Sequence, residues 1–276
     1  MEIRAPAKLN LCLFLGPRRR DGLHELCSLF EPLALADTIE VEEAERDEVV
    51  CDGVEGENLA AGALRALRER GWERAPLRIE IEKRIPVAAG LGGGSADAAA
   101  VLRLAAGEVP DLVDLAESLG ADVPSQLTPS LALVRGAGER VARLPDPPPQ
   151  AVVLLPCGGG LATADVFAEA DRLGLGRSAD ELDALAERLL TAAGAGASPL
   201  AYADLLANDL EPAARALRPE IGDALEDLRA AGAHLALLTG SGPTVFGLFE
   251  DLSAARAACA RIDRDDAIVC EAGSAA

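Results

Sequence analysis

A glycine-rich loop ahead of a helix is the part of this sequence best suited to chemistry. Four of the five residues from Gly90 to Gly94 are glycine, and Ser95 follows them. The loop comes after an alternating strand pattern over 77–82 and before an alanine- and leucine-rich helix pattern over 96–106. Glycine lets the backbone approach a ligand closely, and the start of a helix presents unpaired N–H groups and a partial positive charge. The pattern predicts a cradle for a phosphate group, with a turn capped by Ser95 as the simpler alternative.

Two common nucleotide-binding loops do not fit these residues. A P-loop needs a lysine directly before its serine or threonine, and Gly94 occupies that position. The third glycine of the dinucleotide fingerprint would fall at Ser95 or, counted from Gly92, at Asp97. The predicted phosphate site is therefore of another type.

Two polar residues near the amino terminus share one face of a predicted strand. Leucine alternates with other residues over 7–16, a period-2 pattern that is typical of a strand. Lys8 and Asn10 then lie side by side on the face opposite the leucines. The same spacing is compatible with a solvated strand face.

Asp122 lies in the segment Gly-Ala-Asp-Val-Pro over 120–124. An aspartate two residues before a proline is commonly a helix N-cap. Without further context, a cap is the simpler interpretation of this residue.

The composition excludes several classes of protein. The 276 residues, half of them hydrophobic, suffice for a large core, and the net charge of -20 argues against nucleic acid and membrane surfaces as partners. No apolar run is long enough to span a bilayer, and the amino terminus lacks the apolar core of a signal peptide, so a cytoplasmic protein is expected. Six scattered cysteines and two histidines predict reduced thiols and no protein-built metal site.

The chain contains far more arginine than lysine. Of 26 basic residues only Lys8 and Lys83 are lysine, and all the others are arginine. Arginine keeps its proton, whereas lysine is a compact charge whose pKa can be tuned. A lysine in this chain therefore indicates a specific task.

Three segments together resemble the motifs of the GHMP kinases. Ala-Pro-Ala-Lys-Leu-Asn-Leu over 5–11 is similar to the first motif, and the segment over 86–96 is similar to the second, which binds ATP in that family. Thr-Gly-Ser-Gly-Pro-Thr over 239–244 resembles the third, whose backbone amides approach the substrate's phosphates. The motifs occur in order and span nearly the whole chain.

The triple glycine and the segment Asp-Gly-Leu-His over 21–24 resemble one branch of that family, the 4-diphosphocytidyl-2-C-methyl-D-erythritol kinases. The resemblance implies that His24 reads the edge of the cytosine and that Phe167 stacks on the base. A core position on a short helix is the alternative interpretation of Phe167. Leu23 stands where this branch usually has tyrosine. Ser125 and Gln126 replace two phenylalanines that usually follow the aspartate segment.

The resemblance implies a kinase that transfers the γ-phosphoryl group of ATP to a hydroxyl of 4-diphosphocytidyl-2-C-methyl-D-erythritol, in the non-mevalonate route to isoprenoid precursors. Lys8 and Asp122 are then catalytic: Asp122 accepts the hydroxyl proton, and Lys8 keeps that carboxylate charged. ATP, with Mg²⁺ contacted by the serine, is expected at Pro86, Val87, Ala88, Ala89, Gly90, Leu91, Gly92, Gly93, Gly94, Ser95 and Ala96. The cytidine diphosphate substrate is expected at Asn10, His24, Phe167, Gly240, Ser241 and Gly242.

The fold that the resemblance implies is α+β, with two domains in the GHMP kinase arrangement. A ribosomal S5 domain 2-like amino-terminal domain is expected over 1–148 and a ferredoxin-like carboxy-terminal domain over 149–276. The proline-dense segment Pro145–Pro149 marks the expected boundary. A monomer or a homodimer is expected.

Two other functions remain open at this point. The first is another GHMP kinase that acts on homoserine or mevalonate, which the substitution at Leu23 favours and the His24 motif with Phe167 opposes. The second is a non-catalytic nucleotide-binding module. Such a module has no need of Lys8 together with Asp122, so their presence argues against it.

Overall fold

The computed structural model describes residues 1–53 and 58–273, which divide into two compact units, each built from several chain segments. The first unit comprises the described residues of 1–7, 35–87 and 92–129, and the second comprises those of 8–34, 88–91 and 130–276. The expected boundary at Pro145–Pro149 falls inside the second unit. The domain limits 1–148 and 149–276 divide the chain differently and stay a prediction.

The first half of the chain contains six strands and four helices within the described residues. They are β1 (Glu2–Arg18), β2 (His24–Glu43), β3 (Glu48–Cys51), α1 (Leu59–Glu69), β4 (Leu77–Glu82), α2 (Gly93–Arg103), α3 (Leu112–Leu119), α4 (Val123–Gln126), β5 (Ala132–Gly136) and β6 (Arg140–Arg143). The predicted strand over 77–82 is confirmed. The side chain of Asn58 caps α1, since it accepts a hydrogen bond from the N–H of Ala60.

The second half is mainly helical between its strands. It contains β7 (Gln150–Leu155), α5 (Thr163–Leu173), α6 (Ala179–Ala193), a 3₁₀ segment (Pro199–Leu205), α7 (Glu211–Leu217), α8 (Glu220–Ala230), β8 (Leu235–Leu238), β9 (Val245–Phe249), α9 (Leu252–Ile262) and β10 (Ile268–Ala272). Within the described residues, no helix has both the length and the apolar character needed to cross a membrane.

In the first unit, a small sheet carries a layer of helices. β4 pairs antiparallel with the last part of β2 and parallel with β3. β4 lies between β2 and β3, although these two strands are neighbours in sequence. Alanine-rich α2 packs closely on α1, and the apolar faces of α1, α2 and α3 form one core with this sheet.

In the second unit, the ferredoxin-like pattern is confirmed. β7, α8, β8, β9, α9 and β10 follow in the order βαββαβ, and their strands pair antiparallel in the order β10-β7-β9-β8. Helices α5, α7, α8 and α9 bury their apolar faces in the core of this unit. The first part of β2 pairs with β5 and, at Leu33, with the end of β10.

Candidate active site

Lys8 and Asn10 form a buried polar pair on β1. Only 5% of Lys8 and 2% of Asn10 is exposed, so the solvated strand face that their spacing also allowed is wrong. The Nζ atom of Lys8 donates a hydrogen bond to Oδ1 of Asn10 at 2.6 Å and lies 4.7 Å from the centroid of the Phe30 ring. The ammonium group is therefore held in one place by an amide oxygen and an aromatic face.

The Asn10 amide has a fixed orientation. Its Nδ2 donates to Oγ of Ser28 at 2.9 Å, and that hydroxyl in turn donates to the carbonyl oxygen of Cys12. The backbone N–H of Asn10 donates to Oγ1 of Thr239 at 2.9 Å. Because Nδ2 is engaged elsewhere, Oδ1 is the atom that faces Lys8.

The segment over 239–244, which resembles the third GHMP kinase motif, lies directly against the Lys8–Asn10 pair. It forms the turn between β8 and β9, which we call the 239–244 turn. Gly240 has a φ of +59°, and a Cβ atom there would lie 3.2 Å from Oδ1 of Asn10 and 3.8 Å from Nζ of Lys8. The neighbouring Ser241 places its hydroxyl 3.0 Å from that of Thr163, at the start of α5. Glycine is required here both by the backbone conformation and by the close approach.

The first half of the glycine-rich loop packs on the same turn. The N–H of Lys8 donates to the carbonyl oxygen of Leu91 at 2.9 Å. A Cβ atom at Gly90 would lie 3.0 Å from the carbonyl oxygens of Thr239 and Gly242, and Gly90 has a φ of +79°. Residues from all three predicted motifs therefore meet within the second unit.

The second half of the loop forms the start of α2. The helix begins at Gly93, with Gly92 as its N-cap at a φ of +70°, and its first bond runs from the N–H of Ala96 to the carbonyl oxygen of Gly92. The predicted start at residue 96 is three residues late, because glycine has a low helix propensity. Ser95 lies inside the first turn, so the alternative of a loop capped by Ser95 is wrong. The N–H groups of this first turn have no acceptor within the helix, which suits an anion.

A buried cluster of charges that the sequence did not predict supports this helix start. Nζ of Lys83 donates to Oδ2 of Asp97, at 2.8 Å, and to Oδ2 of Asp37. The other oxygen of Asp37 accepts the N–H groups of Arg84 and Ile85 at 2.6 and 2.8 Å. The Lys83 ammonium lies 3.2 Å from where a Cβ atom of Gly93 would be.

The electrostatics of this cluster follow from two carboxylates that share one ammonium group. Burial is the largest influence on Asp97 and raises its pKa to about 7, although Lys83 opposes the change. Burial alone would lower the pKa of Lys83, but the two carboxylates together raise it above its usual value. Lys83 therefore stays charged. The composition had singled out this lysine, but its partners lie 46 and 14 residues away in sequence.

Asp122 is the first residue ahead of α4. It is half-buried, its backbone is helical, and its side chain makes no capping hydrogen bond with α4. The cap interpretation therefore lacks the hydrogen bond that defines it. Lys8 belongs to the second unit and Asp122 to the first, and the joint catalytic role of the two residues stays a prediction.

His24 and Phe167 form a ring pair at the start of β2 and on α5. Their centroids are 5.4 Å apart, at an interplanar angle of 35°. Nε2 of His24 lies 2.9 Å from Oδ1 of Asp171, one helical turn beyond Phe167 on α5. His24 is 8% exposed, whereas Leu23 is 54% exposed. The i, i+4 spacing of Phe167 and Asp171 was the signal for this missed partner.

Comparisons with known proteins agree along the whole chain. Family models described as "GHMP kinases N terminal domain" and "GHMP kinases C terminal" match residues 58–128 and 182–267. The 4-diphosphocytidyl-2-C-methyl-D-erythritol kinase of Pelotomaculum thermopropionicum is 40% identical, with 95% of this chain and 93% of that protein covered.

Two solved structures place this likeness in three dimensions. A crystal structure of 4-(cytidine 5'-diphospho)-2C-methyl-D-erythritol kinase matches with a TM-score of 0.82 and 38% identity, covering 99% of this chain and all of that one. Homoserine kinase from Cytophaga hutchinsonii is only 20% identical, at a TM-score of 0.73 over 100% of this chain and 96% of that one, and shows the shared fold alone. The chain therefore belongs to the GHMP kinases, within the family of 4-diphosphocytidyl-2-C-methyl-D-erythritol kinases.

Proposed function

We propose that this protein transfers the γ-phosphoryl group of ATP to a hydroxyl of 4-diphosphocytidyl-2-C-methyl-D-erythritol. The observation that carries the proposal is the likeness, at about 40% identity over nearly the full length, to kinases named for that substrate. The reaction belongs to the supply of isoprenoid precursors by the non-mevalonate route.

Positioning and charge stabilisation account for most of the catalysis. The phosphates of ATP bind the first turn of α2 and the glycine-rich loop, where backbone N–H groups and the helix start attract an anion. Asp122 accepts the proton of the attacking hydroxyl. The Lys8 ammonium, fixed by Asn10 and Phe30, stabilises the negative charge of the transferred group.

The residues at the loop fit Mg²⁺ as a companion of ATP rather than as a resident ion. Among the described residues, no three histidine, cysteine, aspartate or glutamate side chains are grouped so as to hold a metal. Mg²⁺ in kinases is held largely by phosphate oxygens and water, with one or two protein oxygens. Ser95, in the first turn of α2, supplies such an oxygen. The ion neutralises phosphate charge during transfer.

The His24–Phe167 pair forms the cytidine site. Phe167 offers a half-buried aromatic face, and Asp171 fixes the ring orientation of His24 beside it. Stacking on an aromatic ring suits any base, so His24 supplies the choice of cytosine by contact with the edge of the base. Leu23 covers the base with an aliphatic side chain in place of the usual aromatic one.

We also propose a cytoplasmic location for this protein. The six cysteines are free thiols, which agrees with a reducing cytoplasm. The expectation of a monomer or a homodimer is kept. Nucleic acid is not a partner in this proposal, because a chain with a net charge of -20 repels it.

ADP release in a coupled assay tests the proposed substrate. Wild-type protein is supplied with the cytidine substrate, homoserine or mevalonate in parallel, and we expect turnover only with the first. Turnover of homoserine or mevalonate would assign the chain to another GHMP activity. ATP binding without turnover of any of the three would favour the non-catalytic module.

Asp122→Asn tests the proposed base in the same assay. The change keeps the shape of the side chain and removes the proton acceptor, so kcat should fall by about 10²–10⁴ while ATP binding persists. Asp114→Asn, on the exposed face of α3, is the matched control and should leave kcat unchanged. Retention of more than about a tenth of kcat in Asp122→Asn would remove Asp122 from the mechanism.

A further inference from the structure

Asn208 lies outside the three segments that resemble the GHMP kinase motifs. Its side chain is buried, and both its nitrogen and its oxygen are hydrogen-bonded. It is 6% exposed and lies between the 3₁₀ segment and α7. Its Nδ2 donates to the carbonyl oxygens of Leu238 at 2.7 Å and Gly240 at 2.9 Å. Its Oδ1 accepts the N–H of Leu210 at 2.9 Å. One amide proton thus holds the end of β8 and the other holds Gly240 of the 239–244 turn, while the oxygen holds the residue ahead of α7.

The backbone on either side of Asn208 is attached to the strand that carries Lys8 and Asn10. The N–H of Leu13 donates to the carbonyl oxygen of Ala207 at 2.9 Å, and the N–H of Asp209 donates to that of Leu13 at 2.8 Å. Asn208 therefore has two connections: its main chain is tied to β1 and its side chain is tied to the turn. It fixes the distance between these two elements.

The turn that Asn208 holds is the one that packs against the proposed catalytic lysine. Gly240, whose carbonyl oxygen accepts from Asn208, lies against Oδ1 of Asn10 and Nζ of Lys8. Thr239 of the same turn accepts the N–H of Asn10. A shift of the turn is thus passed directly to the Lys8–Asn10 pair.

We propose that Asn208 is a positioning residue for phosphoryl transfer, which holds the 239–244 turn and through Gly240 sets the geometry of the Lys8–Asn10 pair. The role rests on the proposed function, because Lys8 acts on the transferred phosphoryl group only if that function holds. Asn208 touches neither substrate nor ATP in this proposal. A local role in holding Leu210 ahead of α7 requires only Oδ1, whereas the positioning role requires the two protons on Nδ2.

Asn208→Asp separates these two roles. Aspartate keeps the size of the side chain and the oxygen that accepts from Leu210, but it loses both donors and turns a carboxylate toward two carbonyl oxygens. A misplacement of about 1 Å at a reacting group can cost about 100-fold in rate. We expect kcat/KM for the cytidine substrate to fall by about 10- to 100-fold, with KM for ATP within about 3-fold of wild type.

Asp209→Asn is the matched control at the next position. Asp209 makes a bidentate ion pair with Arg177 at 2.6 Å for both bonds and accepts the N–H of Leu15, but it does not reach the 239–244 turn. Its substitution should lower the Tm and leave kcat/KM within about 2-fold. A merely structural Asn208 would behave like this control when both variants are assayed well below their Tm.

Hydrogen exchange gives a readout that does not depend on catalysis. The N–H of Gly242 donates to the carbonyl oxygen of Thr239 inside the turn. In Asn208→Asp the peptide covering 238–245 should exchange faster than in wild type and in Asp209→Asn. Unchanged exchange in that peptide overturns the proposal whatever the substrate proves to be. Faster exchange in Asn208→Asp together with a wild-type kcat/KM overturns the positioning role as well. If the wild-type protein is inactive on all three candidate substrates, the proposed function is overturned instead.

Discussion

Glu31→Gln should stabilise this protein, and increasingly so as the pH rises. Glu31 lies in β2 and is fully buried. Its Oε1 accepts a hydrogen bond from Nε2 of Gln150 at 2.8 Å, whereas Oε2 has no hydrogen-bond partner in the part of the chain that the structure describes. No basic side chain is paired with it there. Burial raises the pKa of Glu31 from 4.5 to about 8, with the Gln150 bond opposing and Asp146 adding to the change.

The magnitude follows from the two pKa values. Below pH 4.5 the carboxyl is protonated in the folded and the unfolded chain, so it contributes no pH dependence. Between pH 4.5 and 8 the unfolded chain releases the proton and the folded chain keeps it, which favours unfolding. The two pKa values differ by about 3.5, and each pKa unit corresponds to about 1.36 kcal/mol. The free energy of unfolding is therefore lower by about 5 kcal/mol at pH 8 than below pH 4.5.

Glutamine is neutral in both states and removes this loss. We expect the free energy of unfolding of Glu31→Gln to match wild type within about 1 kcal/mol at pH 5 and to exceed it by about 3–5 kcal/mol at pH 9. Urea unfolding of both proteins at pH 5, 7 and 9 measures the difference. Other carboxyl groups titrate equally in both proteins and cancel.

Glu40→Gln, exposed on the same strand, is the control and should show a small difference that does not change with pH. A difference between Glu31→Gln and wild type that stays flat from pH 5 to 9 would refute the reasoning. It would mean that the buried carboxyl ionises at its ordinary pKa, which requires a compensating charge near Oε2.

Three further predictions concern the parts of the candidate site. Lys83→Met leaves two buried carboxylates without their ammonium group and should lower the free energy of unfolding by about 3–5 kcal/mol in urea. Gly92→Val forces a β-branched residue to a φ of +70° at the loop and should raise KM for ATP by about 10-fold or more. Its control is Gly107→Val, which carries similar strain at a φ of +82° but in open space, and which should leave KM for ATP unchanged. Phe167→Ala should raise KM for the cytidine substrate about 5- to 150-fold and leave KM for ATP unchanged, and Leu23→Tyr should lower the former.

Each of these expectations has an outcome that contradicts it. Wild-type stability of Lys83→Met would show that the fold does not depend on the ammonium group between the two carboxyl groups. Equal ATP affinity in the two valine variants would make the loop purely structural. If Phe167→Ala and Leu23→Tyr both leave KM for the cytidine substrate untouched, the base does not lie between those two residues.

Local features of the fold could be predicted from the sequence. The alternation over 77–82, the Asn58 cap and the glycine turn over 239–244 each act within a few residues, so the pattern and the structure agree there. The position of β3 beside β4 could not be predicted, because strand order is set by pairing across the sheet and not by nearness in sequence. The start of α2 was misplaced because its first two residues are glycine, and no propensity pattern reveals them as helical.

The candidate site divides in the same way. Motif residues such as Lys8 and Gly240 could be predicted, since their spacing along the chain resembles a known pattern. Their supports, such as Asp37 and Asp171, could not be recognised as such, because each contacts its partner only after the chain has folded. A polar residue with a buried structural role looks the same in sequence as a polar residue on the surface.

The positions of the two lysines relate the composition of this chain to its structure. Both are largely buried, Lys8 beside an amide oxygen and an aromatic face, and Lys83 between two carboxylates. A guanidinium group is planar and carries five N–H groups, whereas an ammonium group is a compact charge with three. On the surface, where water satisfies any unpaired donor, this chain uses arginine throughout. Both lysines therefore lie where a compact cation is buried, and the scarcity of lysine was the signal in the sequence that pointed to Lys83 at the start of α2.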